Sequence, residues 1–558
     1  MAAAGTLAAG TGVLAAALFA PAAASASSSQ TWTAGGDGSS WSDAMNWASH
    51  SVPQNGDSVT IPAVRFPART VVNGMPAGTQ LQDLTMTDAS LSGGDVTVAG
   101  NFSWNVSQGF EVLASTLTVA GDASFSGAGQ ADVQDPMTFE GTTEFNGPGL
   151  ISIQDAGPAI TNDGVLTVAP NAVLGGSVCC VNPDVFRNNG TVSMTSVGTG
   201  NLATMEFNDQ GSVVVAPGSL LDITGGPGEF GAAASVTGGG TLQFEKGASM
   251  TLATGISIGA GSTVTLTGNA QLFGPGSFVG GGKFSWTGGT ISGKLNVASS
   301  ITSSISGTAT KTLTSPTSTL TALTLHGVTT VSGSGEVELS GTTRLSNLGA
   351  MTLNTGTTVG ASVCCVAPDT FLNAGTLIVA AGTGTATTTN LQFSNIGTVR
   401  VSSGTLAINT LGYKQTGGAT QMAGGAVTAA KQMNINKGTL SGFGTITGSV
   451  LNGGTVAPST TGGVLKITGA YNQTSAGTLS SVITGTTPGT KFGQLNVGGK
   501  ATLAGTLKVN TGNGFVPGHG QSFSVLLYHT RSGMFGTLSG SPPYTVNYTA
   551  TAANVVYP

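Results

Sequence analysis

The sequence predicts an all-β protein, a right-handed parallel β-solenoid (β-helix) with an N-terminal cap and a C-terminal β module. Three observations predict this class. Only 7% of the 558 residues are charged, while 89 are glycine. Short apolar runs alternate with polar residues at period two, which is the pattern of β-strands. A motif of Asn, Gly and alternating apolar residues recurs along the chain, as expected of stacked turns.

The composition suits strands joined by tight turns. Because charged residues are scarce, the polar surface must come from Thr, Ser, Asn and Gly, of which Thr fits a pleated surface while Gly and Asn accept the positive φ of turns. Intrinsic disorder is the competing interpretation of a Gly- and Ser-rich chain. We reject it because hydrophobic residues reach 39% and recur in alternating runs such as 116–119 and 165–168.

Residues 1–26 are almost wholly apolar and small and end in Ala24-Ser25-Ala26, the small-x-small site of a secretory signal peptide. We expect cleavage before Ser27 and a secreted, extracellular protein that is held at a cell surface or released. An uncleaved membrane anchor is the alternative, which Pro21 and the Ala-rich composition disfavour. No second apolar span follows, so we expect no integral membrane segment in the mature chain.

Three of the five tryptophans, Trp32, Trp41 and Trp47, fall within residues 27–65. We predict that this segment is the N-terminal cap, because bulky rings can cover the apolar core and the strand edges that an open solenoid end exposes. An ordinary small aromatic core is the alternative. The pattern W-x-x-G-G, W-x-x-x-x-N-W, P-x-x-G-D-x-V-x-I resembles the opening of bacterial extracellular β-helix proteins, including autotransporter passengers.

Residues 66–450 are predicted to form the solenoid. Their clearest unit places Asn two residues before Gly and then alternating apolar positions, as at Asn188 to Val192 and Asn373 to Leu377. A single turn of chain cannot bury its own apolar face, whereas turns stacked at about 4.8 Å share a continuous core. The alternative, a series of β-sandwiches, requires domain-sized breaks that the sequence lacks.

A longer duplication is superimposed on the short repeat. Residues 177–186, Ser-Val-Cys-Cys-Val-Asn-Pro-Asp-Val-Phe, return at 362–371 as Ser-Val-Cys-Cys-Val-Ala-Pro-Asp-Thr-Phe, an offset of 185 residues. We therefore predict two copies of a multi-turn block, at about 100–265 and 270–450. At roughly 20 to 25 residues a turn, the copies lie about eight turns apart.

Residues 451–558 are predicted to form the C-terminal β module. Gly412-Tyr413-Lys414-Gln415-Thr416 is echoed there by Ala470-Tyr471-Asn472-Gln473-Thr474. Over about 145 residues this part resembles the closing turns of autotransporter passengers of the autotransporter-associated β-strand repeat type, without the membrane barrel. The resemblance implies a structural or adhesin-like role at a bacterial cell surface.

The four cysteines form two adjacent pairs, Cys179-Cys180 and Cys364-Cys365. About eight turns separate the pairs, which is far beyond the roughly 7 Å between Cα atoms that a disulfide tolerates. Vicinal disulfides within each pair, intermolecular bonds or free thiols remain, and an oxidising compartment favours the first two. A stiffened loop is preferred over a redox role, and metal binding has little support because no His lies nearby.

Charge is unevenly distributed. All 23 acidic residues lie at or before Asp369 with eight basic residues, a balance of −15, whereas the remainder carries nine basic residues and no acid. The basic part can bind anionic wall polymers or lipid headgroups; a diffuse solvated surface is the alternative. We expect cell-surface glycans or cell-wall polymers as partners and no nucleic acid, for which there is no further support.

A polysaccharide lyase or glycoside hydrolase on the same scaffold is the runner-up, because β-solenoids also carry such enzymes. Glycoside hydrolysis needs two carboxylates across the scissile bond. The first candidates form an acidic stretch without basic, Trp or Tyr neighbours: Asp132, Asp135, Glu140 and Glu144. Glu336 and Glu338 share one strand face, and His519 lies in a Gly-His-Gly turn without accompanying aspartates. We predict no catalytic residue and no cofactor.

Calcium binding and ice binding are two further alternatives. Asp37, Asp43 and Asp57 have oxygen ligands that suit calcium, but their spacing fits no known loop, so we predict turn aspartates and no metal. Thr-rich segments at 312–324 and 385–389 suggest an ice-binding protein as a second alternative, although they lack the fixed period that a flat ice-binding face needs.

Overall fold

The protein is a parallel β-solenoid of about 18 turns, which confirms the predicted fold class. The computed structural model describes residues 27–64, 69–147, 149–153, 159–176, 184–314, 321–362, 368–409 and 411–558. A 3-10 helix, Ala44–Asn46, interrupts the strands near the N-terminal end. The strands belong to one continuous hydrogen-bonded sheet that winds around the core.

The strands are short at first and lengthen after residue 376. In chain order they are β1 Ser29–Thr31, β2 Ser58–Ile61, β3 Thr70–Met75, β4 Thr79–Leu81, β5 Asp83–Thr87, β6 Ala89–Gly93, β7 Val96–Val98, β8 Phe102–Asn105, β9 Phe110–Ala114, β10 Leu117–Val119, β11 Ala123–Ser126, β12 Gln130–Val133, β13 Met137–Phe139, β14 Thr142–Asn146, β15 Leu150–Ile153, β16 Ala159–Asn162, β17 Val165–Val168, β18 Val173–Gly176, β19 Val185–Asn188, β20 Thr191–Met194, β21 Thr199–Ala203, β22 Glu206–Asp209, β23 Ser212–Val215, β24 Leu220–Thr224, β25 Pro227–Phe230, β26 Ser235–Thr237, β27 Thr241–Glu245, β28 Ser249–Leu252, β29 Gly255–Ile258, β30 Thr263–Leu266, β31 Gln271–Phe273, β32 Gly276–Gly280, β33 Lys283–Trp286, β34 Gly289–Ser292, β35 Lys294–Val297, β36 Thr302–Ile305, β37 Lys311–Thr314, β38 Thr321–Leu325, β39 Val328–Val331, β40 Val337–Ser340, β41 Thr343–Asn347, β42 Ala350–Asn354, β43 Thr358–Ala361, β44 Thr370–Asn373, β45 Thr376–Thr389, β46 Gln392–Asn395, β47 Thr398–Asn409, β48 Gly412–Gln415, β49 Ala419–Ala429, β50 Met433–Ile435, β51 Thr439–Thr447, β52 Val450–Asn452, β53 Thr455–Pro458, β54 Leu465–Ile467, β55 Tyr471–Gln473, β56 Thr478–Ile483, β57 Leu495–Leu503, β58 Thr506–Thr511, β59 Ser522–Gly533, β60 Thr537–Ser539, β61 Thr545–Tyr548 and β62 Ala552–Val556.

Each turn contributes one strand to each of three faces. The first face begins with β1, β2, β5 and β8, the second with β3, β6 and β9, and the third with β4, β7 and β10. Each strand pairs in parallel with its successor on the same face. From β45 onward, single long strands run across the corner between the second and third faces: β45 pairs with β42 and with β43. Equivalent residues therefore lie directly above one another.

The core is a column of inward-facing aliphatic and aromatic side chains. Alternate residues of each strand are buried, as in β17 and β23, because successive side chains of a strand point to opposite sides. Rings of successive turns stack: the centroids of Phe186 and Phe207 lie 5.6 Å apart and those of Phe371 and Phe393 lie 4.9 Å apart. The alternation of apolar and polar residues in the sequence thus corresponds to one buried and one outward side of each strand.

A buried ladder of side-chain amides runs through the third face of the first copy. Asn162 Nδ2 donates to Asn188 Oδ1 at 2.7 Å, and Asn188 Nδ2 donates to Asp209 Oδ1 at 2.6 Å. Asn162 Nδ2 also bonds the main-chain oxygen of Thr191 in the next turn at 3.0 Å. The Asn of the repeat motif therefore links each turn to the next inside the core, where an unpaired amide is costly.

A second amide ladder occurs in the second copy. Asn347 donates to Asn373 at 2.7 Å, Asn373 to Asn395 at 2.8 Å, and Asn395 to Gln415 Oε1 at 3.3 Å. Asn395 thus occupies the place that Asp209 holds in the first ladder. The second ladder continues because an amide both accepts and donates, whereas a carboxylate only accepts.

A glycine spine adjoins each ladder at the corner of the turn. A Cβ built on Gly190 would lie 2.0 Å from the main-chain oxygen of Gly164, and one on Gly211 would lie 2.0 Å from that of Gly190. In the second copy, a Cβ built on Gly375 would lie 2.1 Å from the main-chain oxygen of Gly349, and one on Gly397 would lie 2.1 Å from that of Gly375. The Gly of the repeat motif is required by this close approach of successive turns.

The duplicated block is rotated as well as translated. The first ladder starts on β16 and the second on β41, which is 25 strands later. At three strands a turn this offset is eight turns plus one strand. The ladder and spine therefore lie on the third face in the first copy and on the first face in the second, although their sequences correspond.

Parallel stacking continues past residue 451, where the C-terminal module was predicted to start. Val450 of β52 lies against Tyr471 of β55, and Thr506 of β58 against Thr537 of β60. Antiparallel pairing of named strands is formed by β62 with β59 and with β61. Antiparallel pairing of named strands thus begins about a hundred residues after residue 451.

We expect Gly190→Ala to lower the free energy of unfolding by about 1–3 kcal/mol, because its methyl group would overlap the oxygen of Gly164. Gly518→Ala is the control, since a Cβ there meets no atom within 4 Å. Urea unfolding followed by circular dichroism measures both. Equal midpoints for the two variants would refute the requirement for glycine.

Candidate functional site

The tryptophans of residues 27–65 form one buried cluster at the N-terminal end. Trp47 packs edge-on against Trp32 and Trp41, with ring centroids 5.0 and 4.9 Å apart. The Trp47 Nε1–H donates to the main-chain oxygen of Trp41 at 2.8 Å. These contacts combine apolar burial with a satisfied indole donor, which favours a rigid cluster.

Asn46 and Asp37 hold the loop around the cluster. Asn46 is fully buried; its Oδ1 accepts from Gly36 N and Gly38 N, and its Nδ2 donates to Asp37 Oδ1 at 2.8 Å. Asp37 Oδ1 also accepts from the main-chain N–H groups of Ser39 and Ser40. Hydrogen bonds from Ser40 and its neighbours hold the pKa of Asp37 well below its usual range.

This loop hydrogen-bonds to β2 on the first face and to β3 on the second. Trp32 N donates to Thr60 O of β2 at 2.9 Å. Trp41 N donates to Asn73 O of β3, and Asn73 N donates to Ser39 O, both at 2.8 Å. The segment therefore satisfies strand edges that would otherwise present unpaired groups.

The three candidate calcium ligands are engaged in turns. Asp43 accepts from Asp37 N and Met45 N, and buried Asp57 accepts from Gln54 N and from Ser28 N and Oγ. Burial raises the pKa of Asp57, but the bonds from Gln54 and Ser28 outweigh it and lower the pKa. Among the described residues, no three or more His, Cys, Asp or Glu side chains form a metal-binding group.

The four cysteines, Cys179, Cys180, Cys364 and Cys365, lie outside the described residues, so the vicinal disulfides stay a prediction. The strands that flank them are described. The first pair falls between β18 on the second face and β19 on the third, and the second pair between β43 on the third face and β44 on the first. The two segments therefore follow different faces of the solenoid.

The acidic stretch proposed for an enzyme does not gather at one place. Asp132 lies in β12 on the second face and Glu144 in β14 on the first. Burial raises the pKa of Asp132, and Gln130 Nε2 donates to its Oδ1 at 2.6 Å. Asn146 Nδ2 donates to Glu144 Oε2 at 2.6 Å. Asp135 and Glu140 lie between strands.

Glu336 and Glu338 do lie close together. Burial and then repulsion by Glu338 raise the pKa of Glu336. Gly360 leaves room for the Glu336 carboxylate, which accepts from Thr389 Oγ1 at 3.5 Å. His519 is exposed, and its neighbours Gly518 and Gln521 hydrogen-bond each other across the turn.

The sequence did not point to Asp222 and Glu245, two carboxyl groups that interact with each other. Asp222 is 5% exposed, and burial followed by the neighbouring Glu245 raises its pKa to about 7. Lys246 Nζ lies 2.7 Å from Glu245 Oε1 and lowers the pKa of that carboxyl. Asp222 lies in β24 and Glu245 in β27, which are neighbouring strands of successive turns. Only the register between these turns could have predicted the pair, because no local sequence motif joins the two residues.

Two depressions among the described residues are lined by side chains that do not ionise. A pocket of about 330 Å³ is lined by described residues that are apolar or uncharged, among them Trp104, Phe125 and Phe145. A wider depression of about 950 Å³ near Trp41 is lined by uncharged residues such as Gln54 and Asn55. Neither offers the convergent carboxylates that a glycosidase site requires.

Asp209 ends the first ladder as a buried carboxyl. Its Oδ1 accepts from Asn188 and, at 3.2 Å, from Gly211 N, while its Oδ2 has no partner. Burial raises the pKa of Asp209 to about 6, which exceeds the effect of these bonds. The folded state therefore disfavours the ionised form.

We expect the ionisation of Asp209 to lower the free energy of unfolding by about 3 kcal/mol as pH rises from about 4 to 6 and beyond. The reason is that the pKa of Asp209 is 3.8 in the unfolded chain and about 6 in the folded protein. Asp209→Asn should remove the part of the fall that Asp209 causes, since it restores the amide of the second ladder, whereas the fall caused by Asp222, whose pKa is raised to about 7, should remain. Asn395→Asp should add a second fall. Unfolding free energies measured from pH 4 to 8 test this; identical profiles for all three proteins would contradict it.

The role of the tryptophan cluster as a cap is testable. Trp47→Ala removes a fully buried ring, so we expect local loosening and faster amide hydrogen exchange in β2 and β3 but not in β30. Met45→Ala is the control, because Met45 is 53% exposed in the same loop. Uniform exchange along the solenoid in the Trp47 variant would argue against a cap.

No family model and no curated protein matches this chain in sequence. Among the described residues, no helix has the length and hydropathy needed to cross a membrane.

Proposed function

We propose that this protein is a non-catalytic, secreted or cell-surface structural rod that acts as an adhesin-like display protein. The observation that carries the proposal is the uninterrupted parallel stack. About 18 turns at about 4.8 Å each give a rod on the order of 85 Å long. Such a rod holds its distal turns away from whatever anchors it.

The outer surface supports a presenting role over a catalytic one. The acidic candidates of the stretch 132–144 lie on separate faces, and the described pockets lack ionisable lining. The polysaccharide-degrading alternative is left with Glu336 and Glu338, which share one side of the third face without a cleft around them in the described residues.

The ice-binding alternative has an observation of its own. Thr376 and Thr398 lie in register on the second face, and Thr439, Thr455 and Thr478 continue the file. Ala419 interrupts it, and the neighbouring outward positions hold Arg400 and Gln421. A second interrupted row runs through Thr387, Thr428 and Thr447 on the third face, with Ala407 between the first two. Rows broken by alanine on two different faces are not the regular flat array of an ice-binding face, so adhesion is favoured.

The test uses residues 27–558 in glycan-array and whole-cell binding, run beside a release assay on the same polysaccharides. We expect saturable binding and no soluble product. Product that disappears in Glu336→Gln and Glu338→Gln variants would replace this proposal with the enzyme. Absence of saturable binding to every glycan and cell would refute adhesion.

A further inference from the structure

The nine basic residues after Asp369 are all exposed in the structure. They are Arg400, Lys414, Lys431, Lys437, Lys466, Lys491, Lys500, Lys508 and Arg531. No acidic residue exists in this part of the sequence to pair with them, and the ion pair of the described residues, Lys246 with Glu245, lies elsewhere. Their charge is therefore available to an external anion.

These charges surround the rod. Lys414 and Lys500 lie on first-face strands, Lys508 on a second-face strand and Lys466 on a third-face strand. Lys437 lies at the corner between β50 and β51. Arg531 also lies on the first face, so a flat partner, such as a bilayer or a globular protein, would meet three strand-borne charges there and leave Lys508 and Lys466 on the other faces unbound.

The linear density of charge is high. The basic residues extend from the turn of β46 to that of β59, six strand spacings along the first face. Six spacings are about 30 Å, so one positive charge falls on about every 3–4 Å of axis. This axial density is comparable to that of one strand of double-helical DNA, which carries a phosphate about every 3.4 Å of axis.

The described basic part of the rod has no exposed Trp or Tyr ring on which a base could stack. Single-stranded nucleic acids are usually held by bases stacked on exposed aromatic side chains. All five Trp are buried, and none of the six Tyr of the described residues is exposed; Arg531 itself lies over the ring of Tyr548 at 4.4 Å. The surface is thus suited to anionic groups and not to bases or to neutral sugar rings.

We propose that the basic segment, residues 400–531, binds a flexible linear polymer of repeating phosphate groups that follows the rod around its corners. This inference rests on the proposed cell-surface role, for which it names the partner class. Each bound phosphate displaces counterions, so affinity should fall steeply as salt rises. The acidic part of the rod, with a balance of −15, would repel the same polymer and confine it to the basic segment.

The experiment measures binding of residues 27–558 to long-chain inorganic polyphosphate across salt concentrations. Two matched triple variants are compared: Lys466→Gln/Lys500→Gln/Lys508→Gln, and Arg187→Gln/Lys283→Gln/Lys294→Gln in the acidic part. All six side chains are exposed, so both variants should fold. We expect the first to reduce the slope of log K against log salt by about 2 and the second to leave it unchanged.

Four outcomes would overturn the proposal: no saturable binding at low salt, equal slopes for the two triples, tighter binding to single-stranded DNA or anionic vesicles than to polyphosphate, or salt-reversible pairing of two copies that accounts for the basic segment. Neutral dextran controls for adsorption. Cell binding retained without polyphosphate binding would leave the adhesive role standing and remove only this partner.

Discussion

The close approach of main chains at one corner of the turns that carry the amide ladders is the constraint on which the rest of the structure depends. Where Gly190 meets Gly164 and Gly375 meets Gly349, the oxygen of one turn occupies the space that a Cβ of the next would need. Parallel strands then have one permitted register, because a slip of one residue would bring a side chain into that space and turn every buried side chain outward. In-register stacking in turn builds the continuous apolar column.

Stacking in register also explains the polar groups inside the core. An amide can lie above an amide indefinitely, since each donates to the next turn and accepts from the previous one. Asn162 and Asn347 begin the ladders and leave one oxygen unpaired, whereas Asp209 ends its ladder because a carboxylate cannot donate onward. Corresponding positions of the two copies thus carry Asp209 and Asn395, which differ in their response to pH.

The stacking of turns depends on the backbone and the inward side chains, so it constrains the outward side chains little. Short Thr, Ser and Asn side chains occupy many of the outward positions. Some carboxyl groups do join turns, as Asp57 and Asp209 show, but in-register stacking does not require the segregation of charge along the chain, with acids up to Asp369 and bases after it. The physical property most relevant to partners is the long-range electrostatic asymmetry of the rod, which acts before any specific contact forms.

The sequence by itself determined the solenoid, because the Asn-x-Gly motif and period-two alternation report contacts that every turn repeats. It also located the tryptophan cluster and the duplication. Only the tertiary structure decided which face each feature occupies: a 185-residue offset is eight turns and one strand, a count that depends on how many strands make a turn. The same holds for Asp222 and Glu245, which meet because turns of unequal length stack in register, and for the extension of parallel pairing to Thr537. The number of residues between two positions does not by itself determine which face of the solenoid each of them occupies, because that depends on the length of every turn between them.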